Sequence, residues 1–143
     1  MIRAFLDASV FFSACFSLRG ASHEILQECL RGNVALVLSD VVIDEVRGNL
    51  SSNPKAPRLL QVFENFLNTV PFEVVRATER QVLQAAEYTV EKDAPIVAAA
   101  LQAKVDYLAS LDRKHLVGVS EVAKRSGLKI VLPEVLLREI RNQ

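Results

Sequence analysis

The fold is decided first by residues 2–10, which read IRAFLDASV. Residues 2–6 form a mostly apolar run that is too short for a helix and shows no regular alternation, as expected for a strand buried on both faces. Asp7 follows this run directly, and a second apolar run begins at Val10. The stretch therefore predicts a buried strand with an acidic side chain at its carboxyl end.

Further runs of the same kind predict the rest of a sheet. Residues 34–38, 107–109 and 129–132 are short and apolar, and residues 72–75 indicate a minor strand. Helical patterns lie between these runs, most clearly at residues 57–68, where apolar side chains recur at the spacing of one helix face. Because right-handed crossovers join strands that alternate with helices, the pattern predicts an α/β/α sandwich of three layers with a mainly parallel central sheet.

Local signals predict where several helices begin. Residues 78–81, Thr-Glu-Arg-Gln, have the form of a capping box. Either Ser39 or Asp40 can cap the helix after the second strand, and Asp40 is interpreted as a cap rather than as part of a site. Pro95 and Pro133 suit the first turns of two later helices.

Composition limits the class of protein. The chain has 143 residues, of which 50% are apolar, and its 17 basic and 17 acidic residues balance. This size predicts one domain over residues 1–143, and the apolar content excludes intrinsic disorder. Because the net charge is zero, any nucleic-acid binding must come from a local basic patch.

The cysteines and the hydropathy pattern bear on the compartment. Cys15 and Cys29 lie in predicted helices without a paired spacing, which favours free buried thiols in a reducing compartment. No stretch approaches the length of a membrane span, and Asp7 interrupts what would be the apolar region of a signal peptide. We therefore expect a cytoplasmic protein that does not bind a membrane.

Four carboxylates are predicted to approach one edge of the sheet. Asp7 and Asp112 follow strands, Glu45 lies in the helix after the second strand, and Asp93 starts a helix. Ligands of parallel sheets gather at the carboxyl ends of the strands, and a hard divalent cation relieves the repulsion between clustered carboxylates. No Cys or His stands at metal-ligand spacing, which argues against zinc. The pattern indicates Mg²⁺ or Mn²⁺, whose chemistry suits phosphodiester hydrolysis.

Each acid also has a purely structural interpretation. Asp7 could form a turn or a helix cap, Asp112 could form an Asx turn, and Asp93 could favour a helix N-terminus through the macrodipole. Asp44 competes with Glu45, because only one of two adjacent helical residues can face the site. The residues alone leave these alternatives open.

The order of the motifs resembles the PIN-domain ribonucleases, especially the VapC-like toxins of toxin–antitoxin pairs. The matching segments are residues 5–10 (FLDASV), Glu45, residues 93–100 (DAPIVAAA) and residues 110–112 (SLD). The resemblance extends from residue 1 to about residue 133. It implies a parallel α/β/α sandwich, an endoribonuclease activity that depends on Mg²⁺ or Mn²⁺, and an antitoxin protein that occludes the site.

The resemblance assigns roles to individual residues. Ser9 and Ser110 match hydroxyl positions that orient the first and last acids, although both could simply satisfy turns. The nearest basic residues, Arg47, Arg113 and Lys114, are candidate contacts to RNA phosphates, with ordinary solvated charges as the alternative. The family's acidic positions, implied to be both metal ligands and catalytic groups, match Asp7, Glu45, Asp93 and Asp112.

Two other functions compete with the ribonuclease. A phosphoaspartyl hydrolase with Asp7 as its nucleophile should have a second Asp two residues on, where this chain has Ser9. A non-catalytic PIN-like module that binds RNA or a partner should have lost one or more acids, and none is lost here. The expected partners are therefore an RNA substrate, a cognate antitoxin and a second copy of the chain, which would pair through residues 57–68 and neighbouring helices.

Overall fold

The computed structural model describes residues 1–54 and 57–143. The Pro-rich polar stretch at residues 51–57 predicts a loop between helices, and part of it lies outside the described residues. In chain order the elements are β1 (Arg3–Leu6), α1 (Ala8–Phe16), α2 (Ala21–Leu30), β2 (Ala35–Ser39), α3 (Asp40–Ser51), α4 (Pro57–Thr69), β3 (Phe72–Val75), α5 (Glu79–Ala85), a 3₁₀ helix (Glu91–Asp93), α6 (Ala94–Ala103), β4 (Tyr107–Ala109), α7 (Ser120–Ser126), β5 (Ile130–Val131) and α8 (Pro133–Asn142).

The strands form one parallel sheet in the order β3-β2-β1-β4-β5. Within β1, Phe5 lies opposite Val37 of β2 on one side and Leu108 of β4 on the other. The chain moves outward from β1 to β3 and then returns to place β4 on the free side of β1. The direction of winding therefore reverses between β1 and β4, which is where open α/β sheets bind ligands.

Helices cover both faces of the sheet. Because the winding reverses after β3, right-handed crossovers place α1 to α4 on one face and α5 and α6 on the other. On the first face, Phe11 of α1 packs edge-on against Phe63 and Phe66 of α4, with ring centroids 5.3 and 6.0 Å apart. On the second face, α6 contacts α5 and strands β2 and β3. The expectation of a three-layer sandwich is confirmed.

The predicted elements agree with the structure to within about two residues at their ends. Strands at 72–75 and 107–109 are found as predicted, and those at 2–6 and 34–38 differ by one residue at one or both ends. The strand predicted at 129–132 is shorter, because only Ile130–Val131 pairs with β4. The helix predicted at 57–68 continues for one more residue.

The structure decides between the two candidate caps of α3. The Ser39 hydroxyl accepts the backbone N–H of Val42 at 3.1 Å, so Ser39 is the N-cap. The interpretation of Asp40 as a cap is wrong, because Asp40 is the first residue inside the helix and its carboxylate pairs with Arg76 at 2.8 Å. Ser39 takes the role because its side chain points back over the first turn from an extended backbone.

Other local predictions are also confirmed. Thr78 and Gln81 form the reciprocal capping box of α5. Both cysteines are free, although only Cys29 is buried and Cys15 is half-buried; burial raises the pKa of the Cys29 thiol to about 12, which makes it unreactive. No helix among the described residues is long and apolar enough to cross a membrane.

Candidate metal centre

A polar cleft lies at the carboxyl edge of the sheet, where β1 and β4 end side by side. Its volume is about 270 Å³. The backbone N–H of Asp7 donates to Ala109 O at 3.1 Å, so the strand pairing continues up to the first acid. The sequence-predicted acids all line this cleft, together with Lys92, and they are Asp7, Glu45, Asp93 and Asp112.

Asp7 is buried and is held by two serine hydroxyls. Ser110 Oγ donates to Asp7 Oδ2 at 2.6 Å, and Ser9 Oγ donates to the same oxygen at 3.3 Å. Each hydroxyl also accepts a backbone N–H, from Asp112 for Ser110 and from Leu111 for Ser9. Both serines therefore orient Asp7, and Ser110 links it to the chain at Asp112. Among the described contacts, neither hydroxyl bonds the Asp112 side chain, and Ser110 contacts Asp112 through the backbone N–H.

Asp93 is the acid of the cleft whose ionised form is least favoured by its surroundings. Asp93 stands at the N-cap of α6, where its charge favours the helix dipole, but its side chain makes no capping hydrogen bond. Its Oδ2 is buried and has no hydrogen-bond partner among the described residues. Burial, together with the negative charges of Asp112 and Asp7, raises the pKa of Asp93 to about 6. An orphaned buried carboxylate oxygen beside other carboxylates is the environment that a cation relieves.

Asp112 takes part in a turn and also faces the cleft. Its Oδ1 accepts the backbone N–H of His115 at 2.9 Å, which is the Asx-type turn expected of a structural aspartate. Its Oδ2 lies 3.3 Å from His115 Nδ1 and 3.7 Å from Lys92 Nζ. Burial alone would raise the pKa of Asp112, but the hydrogen bonds from His115 and the charges of His115 and Lys92 hold it below its usual value. Asp112 therefore forms the turn through Oδ1, and its Oδ2 lies beside Lys92, which also lines the cleft.

Glu45 approaches the cleft from α3. Its neighbour Asp44 does not line the cleft, so the helix presents the residue that the family resemblance selects. Burial raises the pKa of Glu45, and the charge of Asp7 adds to the rise. Glu45 is thus close enough to Asp7 for the two charges to repel each other.

The donor set fits a hard divalent cation. Ligand atoms of Asp93, Asp112 and His115 all lie within 4.8 Å of one another, and Asp93 Oδ2 is without a partner. Carboxylate oxygens dominate the cleft, which favours Mg²⁺ or Mn²⁺. The sequence argument left His115 out because no second His or Cys stands near it. Its position three residues after Asp112, within the turn that follows β4, was the available signal.

The basic residues are arranged differently from the prediction. Arg113 and Lys114 are exposed and do not line the cleft. Arg47 makes a bidentate ion pair with Glu64, with Nη2 to Oε2 at 3.0 Å. Lys92, which sequence reasoning missed, lines the cleft instead. Its place next to Asp93 in the chain was the signal that could have found it.

Comparison with known families identifies the fold. A family model described as the PIN domain matches residues 3–114, which include all four acids of the cleft. The chain belongs to the PIN domain family. A search of curated protein sequences finds no significant match to this PIN domain.

Solved structures share the architecture. PAE2754 from Pyrobaculum aerophilum superposes with a TM-score of 0.65 at 19% identity, covering 99% of this PIN domain and 97% of that chain. VapBC2 from Rickettsia felis, bound to a DNA fragment from its promoter, gives 0.64 at 14% identity over 90% and 97% of the two chains. FitAcB from Neisseria gonorrhoeae gives 0.63 at 16% identity over 92% and 98%. At these identities the likeness concerns the fold.

Proposed function

We propose that this PIN domain is a metal-dependent endoribonuclease that hydrolyses RNA phosphodiester bonds and acts as the toxin of a toxin–antitoxin pair. The observation that carries the proposal is the convergence of Asp7, Glu45, Asp93 and Asp112 from separate elements on one cleft. All the acidic positions implied by the family resemblance are present. A PIN-like module without catalysis has no reason to retain such a costly cluster of charges.

The carboxylates would hold Mg²⁺ or Mn²⁺, which supplies a polarised phosphoryl oxygen and a hydroxide nucleophile near neutral pH. Asp93 offers its free Oδ2, and Asp112 lies beside it. The Ser9 and Ser110 hydroxyls occupy Asp7 Oδ2, which leaves Oδ1 for a ligand and fixes the orientation of the carboxylate. Glu45 approaches from the α3 side. The whole chain, residues 1–143, is proposed to act as one domain.

The activity is tested with purified protein, a single-stranded RNA and added Mn²⁺. Asp7→Asn should lower the cleavage rate on the order of 10²-fold or more, because it removes a ligand charge while an amide can still accept the serine hydrogen bonds. EDTA should abolish cleavage by the parent protein. Cleavage that persists in Asp7→Asn or in EDTA would contradict the proposal and favour a contaminating nuclease.

Two neighbouring acids on α3 provide a matched control. Glu45 lines the cleft and Asp44 does not. Glu45→Gln should therefore impair cleavage, whereas Asp44→Asn, which changes the net charge equally, should not. Equal effects of the two substitutions would show that net charge, rather than the cleft, governs the activity. If the parent protein binds RNA and Mn²⁺ but does not cleave, the non-catalytic module is the correct function.

The proposed protein partner is a cognate antitoxin in the cytoplasm. Support comes from the family resemblance and from the shared fold with VapBC2 and FitAB, whose structures contain promoter DNA and an IR36 DNA fragment respectively. The product of a small open reading frame adjacent to the gene should copurify with this PIN domain and inhibit its cleavage of RNA. A neighbouring product that neither binds nor inhibits would contradict the toxin role but not the nuclease.

A further inference from the structure

Lys92 occupies a special position beside the acids. It lies in the 3₁₀ helix Glu91–Asp93, so its backbone is fixed next to Asp93. Its ammonium nitrogen is 3.7 Å from Asp112 Oδ2, and its side chain is 66% exposed. The contact is therefore an ion pair that is too long for a hydrogen bond, made by a flexible side chain that can leave it easily.

The charge of Lys92 acts on most of the cluster. It lowers the pKa values of Glu45, Asp93 and Asp112, against the burial that raises all three. Among the described residues that line the cleft, it is the one lysine or arginine. Lys92 is therefore the main permanently positive group that faces these carboxylates in the structure.

A metal ion and the Lys92 ammonium group are both attracted to the same carboxylates, and their positive charges repel each other. Lys92 approaches Oδ2 of Asp112. The same carboxylate belongs to the group of Asp93, Asp112 and His115, whose ligand atoms lie close enough together to hold one metal ion. A divalent cation bound there would offset the negative charges of the carboxylates and repel the ammonium group of Lys92. Because the Lys92 side chain is already 66% exposed, its ammonium group can then move away from Asp112 toward solvent.

We infer that Lys92 is an internal counter-ion that competes with the metal for the acidic cleft and, once displaced, binds a phosphate of the RNA strand at the mouth of the cleft. The first step of this inference rests on the proposed metal centre, and its second step rests on the proposed nuclease function. Lys92 replaces Arg47, Arg113 and Lys114 as the first contact to substrate, since Arg47 is paired with Glu64 and the other two lie outside the cleft.

The first experiment measures Mn²⁺ binding by calorimetry at low salt, without RNA. Lys92→Gln should bind Mn²⁺ more tightly, on the order of threefold to fivefold, because an exposed competing charge is removed. Lys92→Arg, which keeps the charge, should bind like the parent protein. Lys104→Gln is the matched control, since Lys104 caps α6 at the opposite edge of the sheet, and its affinity should stay within about twofold of the parent.

The second experiment measures cleavage kinetics with Mn²⁺ at saturation. Lys92→Gln should raise KM by about threefold to tenfold and leave kcat within about twofold. This is the result expected when the lost phosphate contact is equally strong in the bound substrate and in the transition state. Lys92→Arg should restore KM, and Lys104→Gln should not change it. A purely structural role for Lys92 would not give this division between KM and kcat.

The outcomes separate the inference from the proposed function. If Lys92→Gln binds Mn²⁺ no more tightly than Lys104→Gln, Lys92 is not a competitor of the metal. If its KM is unchanged, Lys92 does not contact substrate. If the parent protein binds no Mn²⁺, the metal centre itself is overturned and the inference with it. If Mn²⁺ binds with the expected order of affinities but no RNA is cleaved, the counter-ion role stands and the nuclease fails.

Discussion

At the scale of single residues, Ser110 joins two parts of the acidic cleft through one hydroxyl. It donates to Asp7 Oδ2 at 2.6 Å and accepts the backbone N–H of Asp112, and it is fully buried. We predict that Ser110→Ala lowers Mn²⁺ affinity about tenfold, because it frees the Asp7 carboxylate and leaves the half-buried Asp112 backbone N–H without its acceptor. Ser9→Ala should have a smaller effect, since its bond to Asp7 is 3.3 Å long. Calorimetric titration of both variants tests this, and a larger loss for Ser9→Ala would contradict it.

Asp93 gives a prediction about pH. Its pKa of about 6 lies above the ordinary value of 3.8. Between these two pH values, Asp93 therefore stays largely protonated in the metal-free folded protein but is ionised in the unfolded chain. The stability of the metal-free protein should therefore fall as pH rises from about 4 to about 6 on account of this group. Asp93→Asn removes the effect and should be more stable than the parent at pH 7, on the order of 2 kcal/mol, with the difference vanishing near pH 4.

Denaturant unfolding of the two proteins in EDTA across this pH range measures that difference. Added Mn²⁺ should stabilise the parent protein more than Asp93→Asn, because the variant lacks a ligand charge. A difference between the two that does not depend on pH would show that Asp93 is not the strained group.

The acids of the site could be predicted from sequence, whereas Lys92 and His115 were indicated only by their places in the chain near Asp93 and Asp112. Asp7 follows β1 directly and Asp112 comes shortly after the end of β4, so the sheet topology brings them to the same edge. Lys92 and His115 reach the same place through a 3₁₀ helix and a turn, whose side-chain directions depend on local backbone geometry. Periodicity carries no information about such short segments.

At the scale of elements, the start of α3 positions Glu45 and depends on one hydroxyl. The Ser39 side chain is buried and caps the helix through Val42 N–H. We predict that Ser39→Ala lowers the free energy of unfolding by about 1–2 kcal/mol, since an orphan N–H remains buried. Asp40→Ala should cost less, because the contacts it removes are an exposed ion pair, an exposed hydrogen bond from the Val41 backbone N–H and a helix-dipole interaction. Chemical denaturation of both variants checks the order, and a larger cost for Asp40→Ala would reject it.

The elements themselves were predictable where burial is complete on both faces. β1, β2 and β4 lie inside the sheet, and their short apolar runs identify them as strands and locate them in the chain. The edge strand β5 was predicted too long, because only two of its residues find a partner strand. On α5, the apolar Leu83 is exposed, because a helix of seven residues buries little more than Ala85.

At the scale of the whole molecule, the described surface retains an apolar cleft between α1, α2 and α4. Its volume is about 310 Å³, and it lies apart from the acidic cleft. Two of its lining residues are strongly exposed, Leu18 at 78% and Val62 at 52%. Exposed apolar side chains around a concave surface are typical of a site of protein association.

We predict that this surface contributes to a homodimer at micromolar concentration, as expected from the apolar face of residues 57–68. Val62→Lys places a charge in the cleft and should shift the protein toward the monomer, because an unpaired charge is costly in an apolar interface. Leu83→Lys is the control, since Leu83 is equally apolar and exposed but lies on α5 and does not line the cleft. Sedimentation velocity of the parent protein and both variants measures the association. A monomeric parent would reject the dimer, and a Val62→Lys protein that still pairs like Leu83→Lys would place the interface on another face, leaving this cleft for a different protein partner.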